Sequence, residues 1–169
     1  MEREIGKNGI TKSGQHSTKL KIKDMVSEIV CSIEGLLSEV VDLQKNHVER
    51  ICTECEAPCC SRVSYLFNEK DVLFLKLSGR ERRWKREILK KKGCWFLGDH
   101  GCILDPECRP FICHHYICSD LEMEMKRHDP GLPTLLGGKF KVIYEMRSQL
   151  WSEYLEEQIN FPIKSYARN

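Results

Sequence analysis

The chain has 169 residues, 41% of them hydrophobic, with a net charge of +2 at pH 7 and a pI of about 8.0. That is enough chain for one compact domain with its own core, so thiols are not needed to compensate for small size. A charge this near balance implies neither a nucleic-acid nor a membrane partner, and no segment approaches the ~18 consecutive apolar residues of a membrane span.

Residues 1–16 are polar, carry three glycines and show no periodicity, which predicts a disordered tail. From Ser17 to Arg50 the pattern changes. Ile22, Met25, Val26, Ile29, Val30, Ile33, Leu36, Leu37, Val40 and Val41 recur at spacings of three and four, predicting an amphipathic N-terminal helix over 17–50. Ser17 or Thr18 is its expected N-cap. Such a helix runs roughly 45–50 Å at 1.5 Å per residue. Either part of it leaves the core to pair with a partner helix, or it breaks near Gly35 or Asn46 and packs on its own domain. Cys31 lies on or beside the apolar face and reads as a small buried hydrophobe.

Residues 51–160 read as a cysteine-cluster domain and 161–169 as a C-terminal tail. Residues 51–63 form a loop holding Cys52, Cys55, Pro58, Cys59 and Cys60. Tyr65, Leu66 and Phe67 suit a short strand. Asn68, with Asp71 three positions on, has the spacing of a capping box for a short helix through Val72, Leu73, Leu75 and Leu77 that stops at Gly79. Residues 80–92, RERRWKREILKKK, carry eight positive and two negative charges, a local +6. This is either a solvated helix face or a docking patch for an acidic protein or nucleic acid. Residues 94–104, CWFLGDHGCIL, are two apolar runs around Gly98 and Gly101, a candidate hairpin. Residues 105–118 read as loop; there Asp105 and Glu107, like Asp99 before them, suit turn chemistry as well as acid–base work. Asp129-Pro130-Gly131 and Gly137-Gly138 mark further irregular chain. Ile143, Met146, Leu150, Tyr154 and Leu155 predict a closing helix that ends before Phe161-Pro162. The expected fold is a small single domain, mainly α, with irregular loops stapled by metal and one short hairpin.

Ten cysteines are a high count for this length. The N-terminal stretch has no apolar core of signal-peptide length, so a reducing cytoplasm is the expected compartment. There, clustered cysteines act as metal ligands or redox centres more often than as bridges. They fall in two groups: Cys52, Cys55, Cys59 and Cys60, then Cys94, Cys102, Cys108, Cys113 and Cys118. A C-x2-C segment lets two sulfurs converge on one ion, and two groups distant in sequence are the usual way to close a four-thiolate site. Soft thiolates select zinc or iron–sulfur chemistry over magnesium, calcium or manganese. Backbone amides, Arg62 and Arg109 are candidates to balance the sulfur charge. The adjacent Cys59 and Cys60 suit one tetrahedral ion poorly. Two metals, or one multi-atom cluster, accommodate them better. A redox role for Cys52-Thr-Glu-Cys55 lacks the βαβ context such pairs have.

The ordered elements Cys52-x2-Cys55-x3-Cys59-Cys60, Cys94-Trp-Phe-Leu, Gly101-Cys102-Ile-Leu, Arg109-Pro110-Phe-Ile-Cys113 and Cys118 together resemble the YkgJ-type cysteine-cluster family. That family is described as a zinc- or iron-chelating domain. The resemblance spans roughly residues 52–118 and implies that Cys52, Cys55, Cys59, Cys60, Cys94, Cys102, Cys113 and Cys118 are the cluster ligands. Leu104 replaces the usual tyrosine, and His114 stands where the family commonly has arginine. Whether His114 or His115 joins the ligand set is therefore open, and Cys108 lies outside the pattern. The pattern is similar to the cysteine-rich part of flagellin lysine methylases, which implies an iron–sulfur cluster as one candidate. No glycine-rich nucleotide fingerprint follows a strand, so methyltransferase activity is not carried across.

The expected function is a cytoplasmic metal-binding protein holding a cysteine-ligated iron–sulfur cluster or zinc. The alternatives are a cluster-dependent redox or protein-modifying enzyme, and a zinc-stabilised interaction module. In the last, a protein partner docks on the N-terminal helix or on residues 80–92.

Overall fold

A computed structural model of the chain describes residues 12–52, 54–56, 59–62, 67–80, 94, 96–98 and 101–160. The basic run 81–92, Tyr65 and Leu66, the Asp99-His100 turn and the tails 1–11 and 161–169 lie outside the described residues.

Two long helices make the frame. The first, α1 (Lys12–Cys52), has 41 residues, about 60 Å at 1.5 Å per residue. Its core face is the one periodicity picked out: Ile29, Val30, Ile33, Leu37 and Val40 are all buried. The helix differs from expectation in two ways. It begins at Lys12, so Ser17 and Thr18 are interior rather than capping, and it continues unbroken through Gly35 and Asn46. One glycine in a helix costs about 0.5–1 kcal/mol relative to alanine, less than the packing of the flanking apolar turns returns. Cys31 is exposed, not buried. At 100° per residue it points away from the face carrying Ile29, Val30 and Ile33.

The second long helix, α6 (Leu132–Asn160), packs along α1. It starts well before the expected closing helix, and Gly137-Gly138 lie inside it rather than in irregular chain. Leu132, Leu136, Ile143 and Leu150 bury at helical spacing against α1 and override the local weakness of the glycine pair. Pro133 falls in the first turn, where its missing N–H costs nothing.

Shorter elements close the core. Helix α3 (Glu69–Leu77) starts with the capping box read from sequence: Asn68 Oδ1 accepts from the Asp71 N–H, and an Asp71 carboxylate oxygen accepts from the Asn68 N–H. Gly79, at φ 70°, ends it. Phe67 is not in a strand. The expected loop 105–118 instead holds a 3-10 turn (Pro106–Cys108) and a short helix, α4 (Phe111–His115). Helix α5 (Ser119–His128) follows with Cys118 as its N-cap. Leu73, Phe74, Leu75, Cys108, Phe111, Leu121 and Met125 join the α1–α6 residues in one hydrophobic cluster.

A second, smaller cluster sits apart from it. Cys94, Phe96 and Leu104 are buried together, with Cys60, Phe67 and Cys102 packed against them. A two-residue antiparallel ladder supports it: β1 (Leu97–Gly98) pairs with β2 (Gly101–Cys102), Leu97 opposite Cys102 and Gly98 opposite Gly101. Phe67 touches both clusters and meets Phe96 edge to face at 5.6 Å. The cysteine-rich segments therefore stand on a small apolar base of their own, joined to the helical frame. Among the described residues, no helix is long and apolar enough to cross a membrane.

Candidate metal centre

All ten cysteines are free thiols. Their carriers differ. Cys52 ends α1, and Cys59 and Cys60 open the four-residue helix α2 (Cys59–Arg62). Cys94 precedes the ladder, Cys102 lies in β2, Cys113 is in α4 and Cys118 caps α5.

The electrostatics of the thiols show which of them are neighbours. Burial raises the Cys52 thiol, although the residue as a whole is exposed, and Cys59, Cys118 and Cys55 raise it further. Burial pushes Cys60 up to about 12, reinforced by Cys59, Cys94 and Cys102. Cys113 is also pushed up to about 12, by burial and then by Cys60, Cys102 and Cys94, while Arg109 opposes the shift. Cys59 and Cys60 are hydrogen-bonded side chain to side chain, so the thiols of residues 52–60 run on into those of residues 94–118.

The thiols are gathered but not drawn together to ligand spacing. Among the described residues, no three donors from His, Cys, Asp and Glu stand close enough to hold a metal ion. A tetrahedral zinc–thiolate site needs sulfurs about 3.8 Å apart, given Zn–S bonds of about 2.3 Å. Thiols held in their protonated form have no charge to draw them closer, whereas a divalent cation displaces those protons and supplies the attraction. The donor set fits a thiophilic metal by its chemistry: soft sulfurs, partly desolvated, with a guanidinium nearby. Cys118 adds a favourable placement, since a negative sulfur at the N-terminus of α5 meets the positive end of the helix dipole.

Three polar contacts hold the cysteine carriers to the frame. On α1, Gln44 is buried and its Nε2 donates to the His114 carbonyl at 2.9 Å, pinning the end of α4 beside Cys113. Arg50, two residues before Cys52, pairs with the buried Glu124 of α5 at 3.3 Å. Glu124 also takes His128 at 3.1 Å and Arg127 at 3.8 Å. Asp71 is the third. Its Oδ1 accepts from the Phe111 N–H at the start of α4 (3.0 Å) and from Arg147 of α6 (2.6 Å), with both side chains under 5% exposed. Burial lowers the Arg147 guanidinium from its usual value, and Asp71 opposes that shift.

The histidines beside Cys113 face elsewhere. His114 is buried, and burial followed by Arg109 and Arg147 pushes it down to about 4, so it is neutral near pH 7. The charges that act on it come from Arg109, Arg147, Asp71 and Glu107. Among the described residues its Nε2 has no hydrogen-bond partner. His115 stacks on Phe111 at 5.3 Å. Cys108 is buried in the main core, away from the Cys94 cluster. Arg109 Nε donates to the Leu104 carbonyl at 3.2 Å, which fixes the guanidinium near Cys113. Beside α4 opens a cleft of about 380 Å³ lined by Asn68, Phe111, Ile112, His115, Phe140, Lys141 and Tyr144.

Sequence reasoning singled out the eight thiols as candidates, correctly read the Asn68–Asp71 box and missed Gln44, Glu124 and Arg147. A polar residue on the apolar stripe was the available sign for Gln44, one turn beyond Val40. Comparison with known proteins adds nothing to this geometry: no protein-family model, no curated protein and no solved structure matches the chain.

Proposed function

We propose that the chain is a metal-binding protein of a reducing, cytoplasmic compartment. Its cysteines hold a thiolate-ligated centre, an iron–sulfur cluster in the first place and zinc as the alternative. The observation that carries this reading is the meeting of thiols from sequence-distant segments: Cys60 and Cys102 pack against the buried Cys94, and the Cys94 N–H donates to the Cys60 carbonyl at 2.6 Å. The resemblance of the cysteine spacing to the YkgJ-type family supports it. Cys52, Cys55, Cys59, Cys60, Cys94, Cys102, Cys113 and Cys118 are the ligands, and Cys108, His114 and His115 are outside the set. An iron–sulfur centre supplies one-electron chemistry; zinc supplies a structural tie. In either case the chain's own contribution is to gather the thiols, to place Arg109 near the sulfur charge, and to keep one face of the site dry with Phe96 and Leu104.

A cluster-dependent enzyme is the second reading, and the cleft beside α4 favours it. Phe111, Ile112 and His115 line the cleft and lie on the same short helix as Cys113, so a small molecule bound there is next to the cysteine segments.

The test is the visible spectrum and metal content of the full chain purified under anaerobic conditions. A brown protein that bleaches with dithionite establishes the iron–sulfur form. A colourless protein with stoichiometric zinc establishes the other. A colourless protein free of both metals refutes the proposal.

A further inference from the structure

The cleft beside α4 is walled by rings. Phe111 and His115 stack at 5.3 Å with their planes 17° apart. Phe140 of α6 stands nearly perpendicular to both, at 73° and 6.3 Å from Phe111 and at 69° and 6.1 Å from His115. Aromatic rings attract one another in such stacked and edge-to-face contacts beyond the area they bury. At about 380 Å³ the cleft lies near the small end of the range of about 300–1,000 Å³ for small-molecule sites, which suits one or two fused rings. We propose that it binds a small planar aromatic carboxylate, with the ring against Phe111, Phe140 and His115 and the carboxylate toward Lys141 and Asn68. This deepens the enzyme reading, on which it rests, by naming the class of molecule the cleft takes.

The wall is set before a ligand arrives. Phe111 is buried, its N–H donates to the Asp71 carboxylate at 3.0 Å, and the Arg147 guanidinium lies 5.0 Å from its ring centroid. Phe140 is partly buried against the main core. Side chains already held in place lose little freedom when a ligand docks, so more of the contact energy appears as affinity.

The rim supplies the charge. Among the described residues that line the cleft none is acidic, and Lys141 is one of them. Its nearest carboxylate, Glu145, is 4.0 Å away with both side chains largely exposed, a contact weak enough for a bound anion to replace. Lys70 adds a second cation beside the rim: its Nζ is 5.5 Å from the Tyr144 ring centroid and donates to Ser148 Oγ at 2.9 Å. Asn68 Oδ1 is taken by the Asp71 N–H, which leaves the Nδ2 hydrogens to meet a carboxylate oxygen. A neutral aromatic compound uses the wall alone, and a saturated acid uses the rim alone. An aromatic acid uses both.

The experiment uses the full chain as purified anaerobically, with metal content measured on the same sample. Three probes are titrated by calorimetry and ligand-observed NMR. They are 2-naphthoate, its uncharged isostere 2-naphthamide, and decahydro-2-naphthoate, which keeps the charge and loses the planar ring. The first is expected to bind with a Kd of about 1 mM or tighter, and the other two more weakly. Two variants locate the site. The side chain of Lys141 is 79% exposed and Tyr144 is 62% exposed, so neither Lys141→Met nor Tyr144→Ala puts the fold at risk. Lys141→Met is expected to weaken 2-naphthoate about two- to fivefold and to leave 2-naphthamide unchanged. Tyr144→Ala is expected to weaken both about two- to tenfold.

No binding of 2-naphthoate at several millimolar overturns the proposal. So does equal binding of the acid and the amide, or of the planar and the saturated acid, and so does a wild-type affinity in both variants. Those failures leave the metal-binding reading standing. A chain that binds the probes as expected but carries neither iron nor zinc keeps the site and overturns the cluster-dependent enzyme.

Discussion

At the residue scale the decisive contacts are the ones that sequence spacing did not reveal. Asp71 was legible as a helix cap because its partner, Asn68, is three residues away. Its second role was not, because Arg147 lies 76 residues further on and nothing local distinguishes that arginine from others on α6. Both side chains are nearly inaccessible, so removing either leaves an uncompensated charge in the interior. Arg147→Met and Asp71→Asn should each cost about 3–5 kcal/mol of stability, read as a shift in urea midpoint. The double variant should cost less than the sum of the two, since it leaves no lone charge. A loss below about 1 kcal/mol in both single variants contradicts the tie between α3, α4 and α6. The cysteines show the same asymmetry of legibility. Their two groups along the chain were readable from spacing; that Cys60 and Cys102 pack against the buried Cys94 was not, because it depends on which segment folds over which.

At the scale of elements, periodicity located the core face of α1 but misjudged where helices start and stop. Local breaker signals were overweighted. Gly35 and the Gly137-Gly138 pair all lie inside helices, because the apolar residues flanking them bury on the opposite long helix. None of these three glycines has a positive φ, and a Cβ at each meets no atom within 4 Å. Alanine should therefore improve the helix without strain. Gly137→Ala and Gly138→Ala are each expected to raise stability by about 0.5–1 kcal/mol, checked by thermal or urea unfolding. A destabilised variant means that the flexibility of the pair is used. The short elements were harder to read than the long ones. Helix α4 has five residues, and its start depends on Pro110 and on the Asp71 carboxylate rather than on any pattern of its own.

At the scale of the whole molecule, two kinds of cohesion meet. Helices α1, α5 and α6 with α3 share an ordinary hydrophobic core and do not need metal to account for it. Among the described residues, Cys60 and Cys102 of the cysteine segments pack on the small base of Cys94, Phe96 and Leu104, with Phe67. Under the proposed function, metal–thiolate bonds contribute folding energy to these segments directly. Chelation should then leave much of the helical signal intact while the cysteine segments lose their fixed packing. The most direct measurement is dichroism of the anaerobically purified full chain, with metal content determined on the same sample before and after chelation. The account predicts bound iron or zinc at the start. On its removal, the near-UV signal should fall by a larger fraction than the far-UV helical signal. A sample that contains neither metal yet shows complete near- and far-UV dichroism contradicts it.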